Sequence, residues 1–198
     1  MTEYDSLDKL KENEVEDVDW RRFFQDRDSW LIVAAPHGRT IEPFTELIAK
    51  EIAGEHFSLF IFEGLRRKIP DRKWLHVRSE RYNDPDLARM QKLAQVTLSI
   101  HGAENRENLP EKVTHMGGTN EELRDFVWSA LDGAGFSIVL GTDHLAGRDP
   151  NNFVNRTKAG GVQLEISRAE REALADNSAR RLRYVDAIRE AFLVYQRK

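Results

Sequence analysis

Trp30 to Pro43 reads WLIVAAPHGRTIEP, and no other stretch constrains the fold of this chain as strongly. An apolar run, Leu31 to Ala35, is stopped by Pro36 and followed at once by His37 and Gly38, with Glu42 a few residues further on. The pattern predicts a buried strand whose carboxyl end delivers polar side chains to a loop, the place where open α/β sheets hold ligands. Two other stretches repeat it: Val96 to Ile100 runs into His101 and Gly102, and Val162 to Ile166 carries Glu165. Period-two alternation in the latter sends Val162, Leu164 and Ile166 to one face and Gln163 and Glu165 to the other.

The remaining segments fit around these strands. Residues up to about Asp17 are acidic with few large apolar groups, which predicts a frayed lead-in, and Trp20, Phe23 and Phe24 then mark a first docked helix. Pro43 suits the first turn of a helix carrying Leu47, Ile48 and Ile52, with Gly54 as its stop. Phe57 to Phe62 reads as a strand, Trp74 to Val77 as a short one, and Asn83 or Asp84 caps a helix opening at Pro85. Ala103 to Thr114 is loop-like, and Asn120 caps an amphipathic helix bearing Leu123, Val127 and Leu131. Ser137 to Leu140 is a further strand. Ser167 with Glu170 forms a capping box, and Ser178 to Tyr195 is the final helix. Strands alternating with helices predict an α/β fold: a mainly parallel sheet flanked by helices on both faces. A length of 198 residues fits one domain.

Composition narrows the chemistry. The chain has no cysteine, so any transition metal is held by His, Asp or Glu, and such a site is more often catalytic than structural. A net charge of -4 argues against bulk attraction to nucleic acid or to anionic membrane. No run approaches the roughly 20 apolar residues of a membrane helix, and the acidic start is unlike a secretory signal, so a cytoplasmic protein is expected.

A hydrolytic zinc site needs about three N or O ligands and an open position for water. His37, Glu42 and His101 supply that count, the first two from a loop entering a helix and the third from a neighbouring strand end. Glu165 interrupts an apolar strand and must find a partner or face a cavity. Its functional reading is a general base acting on the zinc-activated water; its bland reading is a salt bridge to Arg168 or another arginine. Arg168, Arg156 and Arg39 are candidates to stabilise a developing oxyanion, and Arg39, Arg78, Asn155 and Arg156 to contact substrate. His76 reads as a core histidine or one that supports a ligand. The basic stretch from Arg66 to Arg81 is either a solvated face or a landing surface for an anionic substrate.

The order PHGRTIEPFTELIA, SLFIFEGL, LHVRSERYNDP, LSIHG, MGGTNEEL, FVNR and GVQLEISRAER resembles the poly-γ-glutamate hydrolase family, known from bacteriophage and related bacterial proteins. The match runs from about Trp30 to Arg171. The resemblance implies a zinc peptidase with a carboxypeptidase A-like α/β core that cleaves γ-glutamyl amide bonds of an anionic polymer, and it places the same roles on His37, Glu42, His101 and Glu165. If phage-encoded, such a protein would be released by lysis. Two positions depart from the family pattern: Arg39 and Phe44 stand where glycine is usual, adding bulk beside the expected metal. Two rival readings follow. One is the same mechanism on a small N-acyl amino acid or short peptide; the other is a non-catalytic, phage-related nucleic-acid-binding protein, for which no recognised motif appears.

Overall fold

The computed structural model describes residues 3–198, and its centre is one seven-stranded sheet in the order β1-β3-β2-β4-β7-β5-β6. The strands are β1 (Trp20–Gln25), β2 (Leu31–Arg39), β3 (Ser58–Gly64), β4 (Val96–Ala103), β5 (Thr114–Gly117), β6 (Ile138–Leu140) and β7 (Gly161–Ser167). β3, β2, β4 and β7 run parallel; β1 joins β3, and β5 joins β7, antiparallel. Helices α2 (Thr45–Ala53), α4 (Glu121–Gly133), α5 (Arg168–Asp176) and α6 (Ser178–Gln196) cover one face. On the other, α1 (Leu7–Asn13) and α3 (Pro85–Leu93) pack over Ile32, Ala34, Phe60 and Phe62. The α/β layering expected from the alternation of apolar runs is the layering found. Among the described residues no helix is long and apolar enough to cross a membrane.

Local signals explain most element ends. Asp84 accepts hydrogen bonds from the amides of Asp86 and Leu87 and Pro85 opens α3, while Asn120 accepts from Leu123 to start α4. Ser167 caps α5 through the Glu170 amide, but the Glu170 carboxylate turns away to Arg180 at 2.6 Å, so the capping box is only half made.

Five expectations are corrected. The lead-in, whose first two residues lie outside the described ones, is not frayed from Glu3 to Asp17: Leu7 and Leu10 of α1 are fully buried, and Glu14 binds Tyr4, Arg66 and Arg72. Trp20, Phe23 and Phe24 lie on an edge strand, where alternate side chains face the core, rather than on a helix. Pro36 does not end β2, because a register shift between Ala35 and Gly38 absorbs its missing N–H and lets the strand run on through His37. Trp74 to Val77 forms no strand beyond an isolated bridge at Trp74, and both ends of the expected Ala103 to Thr114 loop are strand, Ala103 closing β4 and Thr114 opening β5, which pairs with β7.

Candidate metal centre

The carboxyl ends of β2, β4 and β7 open into a cleft of about 900 Å³ whose lining includes His37, Glu42, His76, His101 and Glu165. Parallel pairing delivers two of these side by side, since His101 and Glu165 are register partners on β4 and β7. Glu42 comes back to the same point because its amide donates to the His37 carbonyl at 2.7 Å, folding the turn over the strand end. The imidazoles of His37 and His101 lie 5.0 Å apart between ring centres.

The donor set suits a cation. His37 Nε2 lies 2.8 Å from the Val77 carbonyl, which only accepts, so Nε2 carries the proton. That leaves the Nδ1 lone pair 2.9 Å from Glu42 Oε1, two acceptors face to face, an arrangement that needs a proton or a metal ion between them. His101 repeats the orientation, with Nδ1 3.6 Å from Glu42 Oε2 and Nε2 3.5 Å from Ser79 Oγ. The Gly102 amide donates to Glu42 Oε2 at 2.8 Å and fixes the carboxylate. His76 stacks on Trp74 and brings Nε2 to 3.9 Å from Glu42 Oε1, and the set compact enough to share an ion among the described residues is His37, Glu42 and His76, with His76 in the place expected of His101. His101 is carried on β4, whereas His76 sits on an irregular segment.

Electrostatics separate the two acids. Burial alone would raise the Glu42 carboxyl, but His37 and His101 hold it well below the usual carboxylate range. Glu165 has the opposite fate: burial, reinforced by the Glu42 charge, pushes it up to about 7 against the pull of His101 and Arg171. Gln163 steadies it, donating to Glu165 Oε1 at 2.9 Å while its own carbonyl oxygen accepts from Asn152 at 3.0 Å. Burial drives the His76 imidazole down to about 2, helped by the His37 charge.

The expected arginines fare differently. Arg168 is turned to solvent, paired with Glu172 at 2.9 Å, and does not line the cleft. The buried arginine is Arg171, one helical turn on, whose guanidinium donates to the carbonyls of Ile166, Pro43 and Ala103. It ties together the ends of β4 and β7 and the turn carrying Glu42. It also explains Gly102, since a Cβ there would meet Arg171 Cζ at 2.6 Å. Asn155 and Arg156 are loop staples: Asn155 bonds Thr119, Gly147 and Asp149, and Arg156 bonds Asn151, Tyr82 and Glu80. Arg78 does line the cleft, mostly exposed and 3.7 Å from Glu3. Arg39 lines a separate pocket. Arg81, the end of the basic stretch, also lines the cleft, as do Arg106, His144, Asn152 and Gln163. Of these last four only Gln163 has a signal in the sequence, its shared strand face with Glu165.

Fold and cleft together define an α/β protein with a His- and Glu-rich pocket at the carboxyl ends of its central strands. The model of the poly-gamma-glutamate hydrolase family matches residues 4–195, and the chain belongs to that family. Its fold is similar to that of a bacteriophage poly-gamma-glutamate hydrolase, with a TM-score of 0.86, 31% identity and 99% of each chain covered. A zinc-free structure of YndL gives a TM-score of 0.84 at 27% identity, covering 97% of this chain and 98% of that one. The SPbeta prophage-derived protein YoqZ of Bacillus subtilis is 34% identical over 174 residues, 86% of this chain. The chain spans 61% of YoqZ and 66% of the Bacillus subtilis protein YndL.

Proposed function

We propose that this chain, read as one hydrolase domain, is a zinc-dependent amidohydrolase that cleaves γ-glutamyl amide bonds of poly-γ-glutamate. The observation that carries the reading is the convergence of His37 Nδ1 and His101 Nδ1 on Glu42, with Glu165 in the same cleft, in a chain of this family. Zinc held by His37, Glu42 and His101 would supply Lewis acidity and an acidified water. The bacteriophage relative and the zinc-free form of YndL support the substrate class and the metal respectively.

The chain's own groups account for the proton movements. Glu165 accepts a proton from the water that attacks the scissile carbonyl, and passes it to the amide nitrogen as the C–N bond breaks, leaving one new carboxylate and one new amine. Its elevated pKa suits both halves of that exchange near neutral pH. Gln163 and Asn152 hold the carboxyl toward the cleft. Arg78, Arg81 and Arg106 line the cleft wall, the first two exposed, and would grip substrate carboxylates. The test is Glu165→Gln: it should keep its zinc, measured by elemental analysis, and lose about 10²–10⁴-fold in turnover of poly-γ-glutamate. Normal turnover in that variant would remove Glu165 from the reaction.

A further inference from the structure

Most cations between Arg66 and Arg81 have carboxylate partners within the chain. Arg66 and Arg72 close on Glu14 and Asp19, while the exposed Arg78 and Arg81 lie near Glu3 and Asp5. Like Lys73, which stands over the Tyr4 ring, Arg67 and Lys68 make no ion pair among the described residues, and the Lys68 ammonium stands 3.8 Å over the Trp74 ring. Arg39 has only Glu63, at 4.0 Å, a carboxylate already held by Arg21 at 2.5 Å and Lys50 at 3.3 Å.

Arg39, Arg67 and Lys68 meet in a pocket of about 410 Å³, with Phe44 in its wall. His37 and Glu42 face the catalytic cleft while Arg39 and Phe44 line this pocket, so the turn they share divides the two. The one carboxylate in the pocket, Glu46, is engaged by the Arg39 amide at 2.8 Å. Arg39 and Phe44 both sit in left-handed backbone, at φ 58° and 75°. Glycine would occupy either position without steric cost, and bulky side chains kept in that region mark functional sites.

We propose that this pocket is an accessory anion-binding subsite, taking free carboxylates of a γ-glutamyl polymer away from the scissile bond, with Phe44 against the intervening methylenes. The identity of the polymer rests on the function proposed above. A polymer with one carboxylate per repeat can occupy cleft and pocket together, and the link between two sites raises affinity for long chains without altering the reacting geometry. Phe44 supplies apolar contact of the kind long methylene segments need, while arginine offers paired donors to each carboxylate.

The test compares wild type with Arg67→Ala/Lys68→Ala and with Arg39→Gln, all at exposed positions, with melting curves to confirm folding. Binding of fluorescein-labelled poly-γ-glutamate is read by anisotropy in a Glu165→Gln background, and turnover of the polymer and of a γ-glutamyl trimer in the active proteins. Loss of two exposed charge contacts in Arg67→Ala/Lys68→Ala should weaken polymer binding and raise polymer KM about tenfold, and loss of one in Arg39→Gln about threefold, leaving kcat and the trimer KM unchanged in both. Unchanged polymer affinity in folded variants overturns the proposal, as does equal weakening of the trimer, or equally tight wild-type binding of a single-stranded DNA of matched charge. Wild-type protein that binds the polymer through these residues but does not cleave it would sink the proposed function and uphold the subsite.

Discussion

Three imidazoles, His37, His76 and His101, stand around Glu42, one more than a site of two histidines and one glutamate requires, and exchanging them one at a time separates the two candidate sets. His37 and His101 both turn Nδ1 to Glu42, and strand β4 holds His101 in place. His76 presents Nε2 at 3.9 Å and leans on Trp74. Zinc at about 100 times its dissociation constant stabilises the native state by about 2.7 kcal/mol. At about 2–4 °C per kcal/mol for a chain of this size, the wild-type midpoint should rise by roughly 5–11 °C on adding the metal. His101→Ala and His37→Ala should abolish that rise, whereas His76→Ala should keep most of it. The assay is thermal melting by circular dichroism with and without zinc, the metal-free midpoint of each variant serving as its own reference. A full zinc shift in His101→Ala, lost instead in His76→Ala, would refute the assignment and place the ion on His37, Glu42 and His76.

Three further outcomes are expected. Glu14→Gln removes the carboxylate that gathers Tyr4, Arg66 and Arg72, leaving buried cationic hydrogen-bond donors short of a partner; urea unfolding should show a loss of about 3 kcal/mol. Burial opposes ionisation of Glu14, yet the bonds from Arg66 and Tyr4 prevail and its pKa is lowered. Its stabilisation is therefore present above the ordinary carboxyl pKa and lost as pH falls through the lower folded value, so stability measured against pH should fall less steeply in acid for Glu14→Gln than for wild type. Gly102→Ala forces a Cβ onto a guanidinium held by three carbonyls, and by displacing the amide that orients Glu42 it should weaken zinc binding 10–100-fold in a competition titration. Gln163→Met frees the Glu165 carboxyl from its donor and should lower kcat while zinc content stays at the wild-type level.

How far the sequence reached follows from what kind of physics each feature obeys. Apolar runs, caps and the His-Gly junctions are local, so the parallel core strands, the starts of α3 and α4, and the placing of His37 and His101 near the carboxyl ends of their strands were legible in the sequence. Two strands were not. β1 lies at the sheet edge and buries only alternate residues, and β5 is a short strand between β7 and β6; in both the pairing partner rather than composition makes the strand.

Arginine roles depended most on tertiary structure. Arg168 and Arg171 are near neighbours on one helix with identical chemistry, and only the rotation of α5 decides that Arg168 meets Glu172 in solvent while Arg171 is buried against three carbonyls. The same holds for the basic stretch after β3, where Arg66 and Arg72 are neutralised by Glu14 and Asp19, residues more than forty positions earlier, and Arg67 and Lys68 are not. Sequence by itself determined the central parallel strands and which histidines lie at their carboxyl ends, because hydrophobic periodicity and turn chemistry act over a few residues. Which charges are left free to meet a ligand was decided only in three dimensions, since an ion pair depends on distance through space and the chain can bring any two residues together.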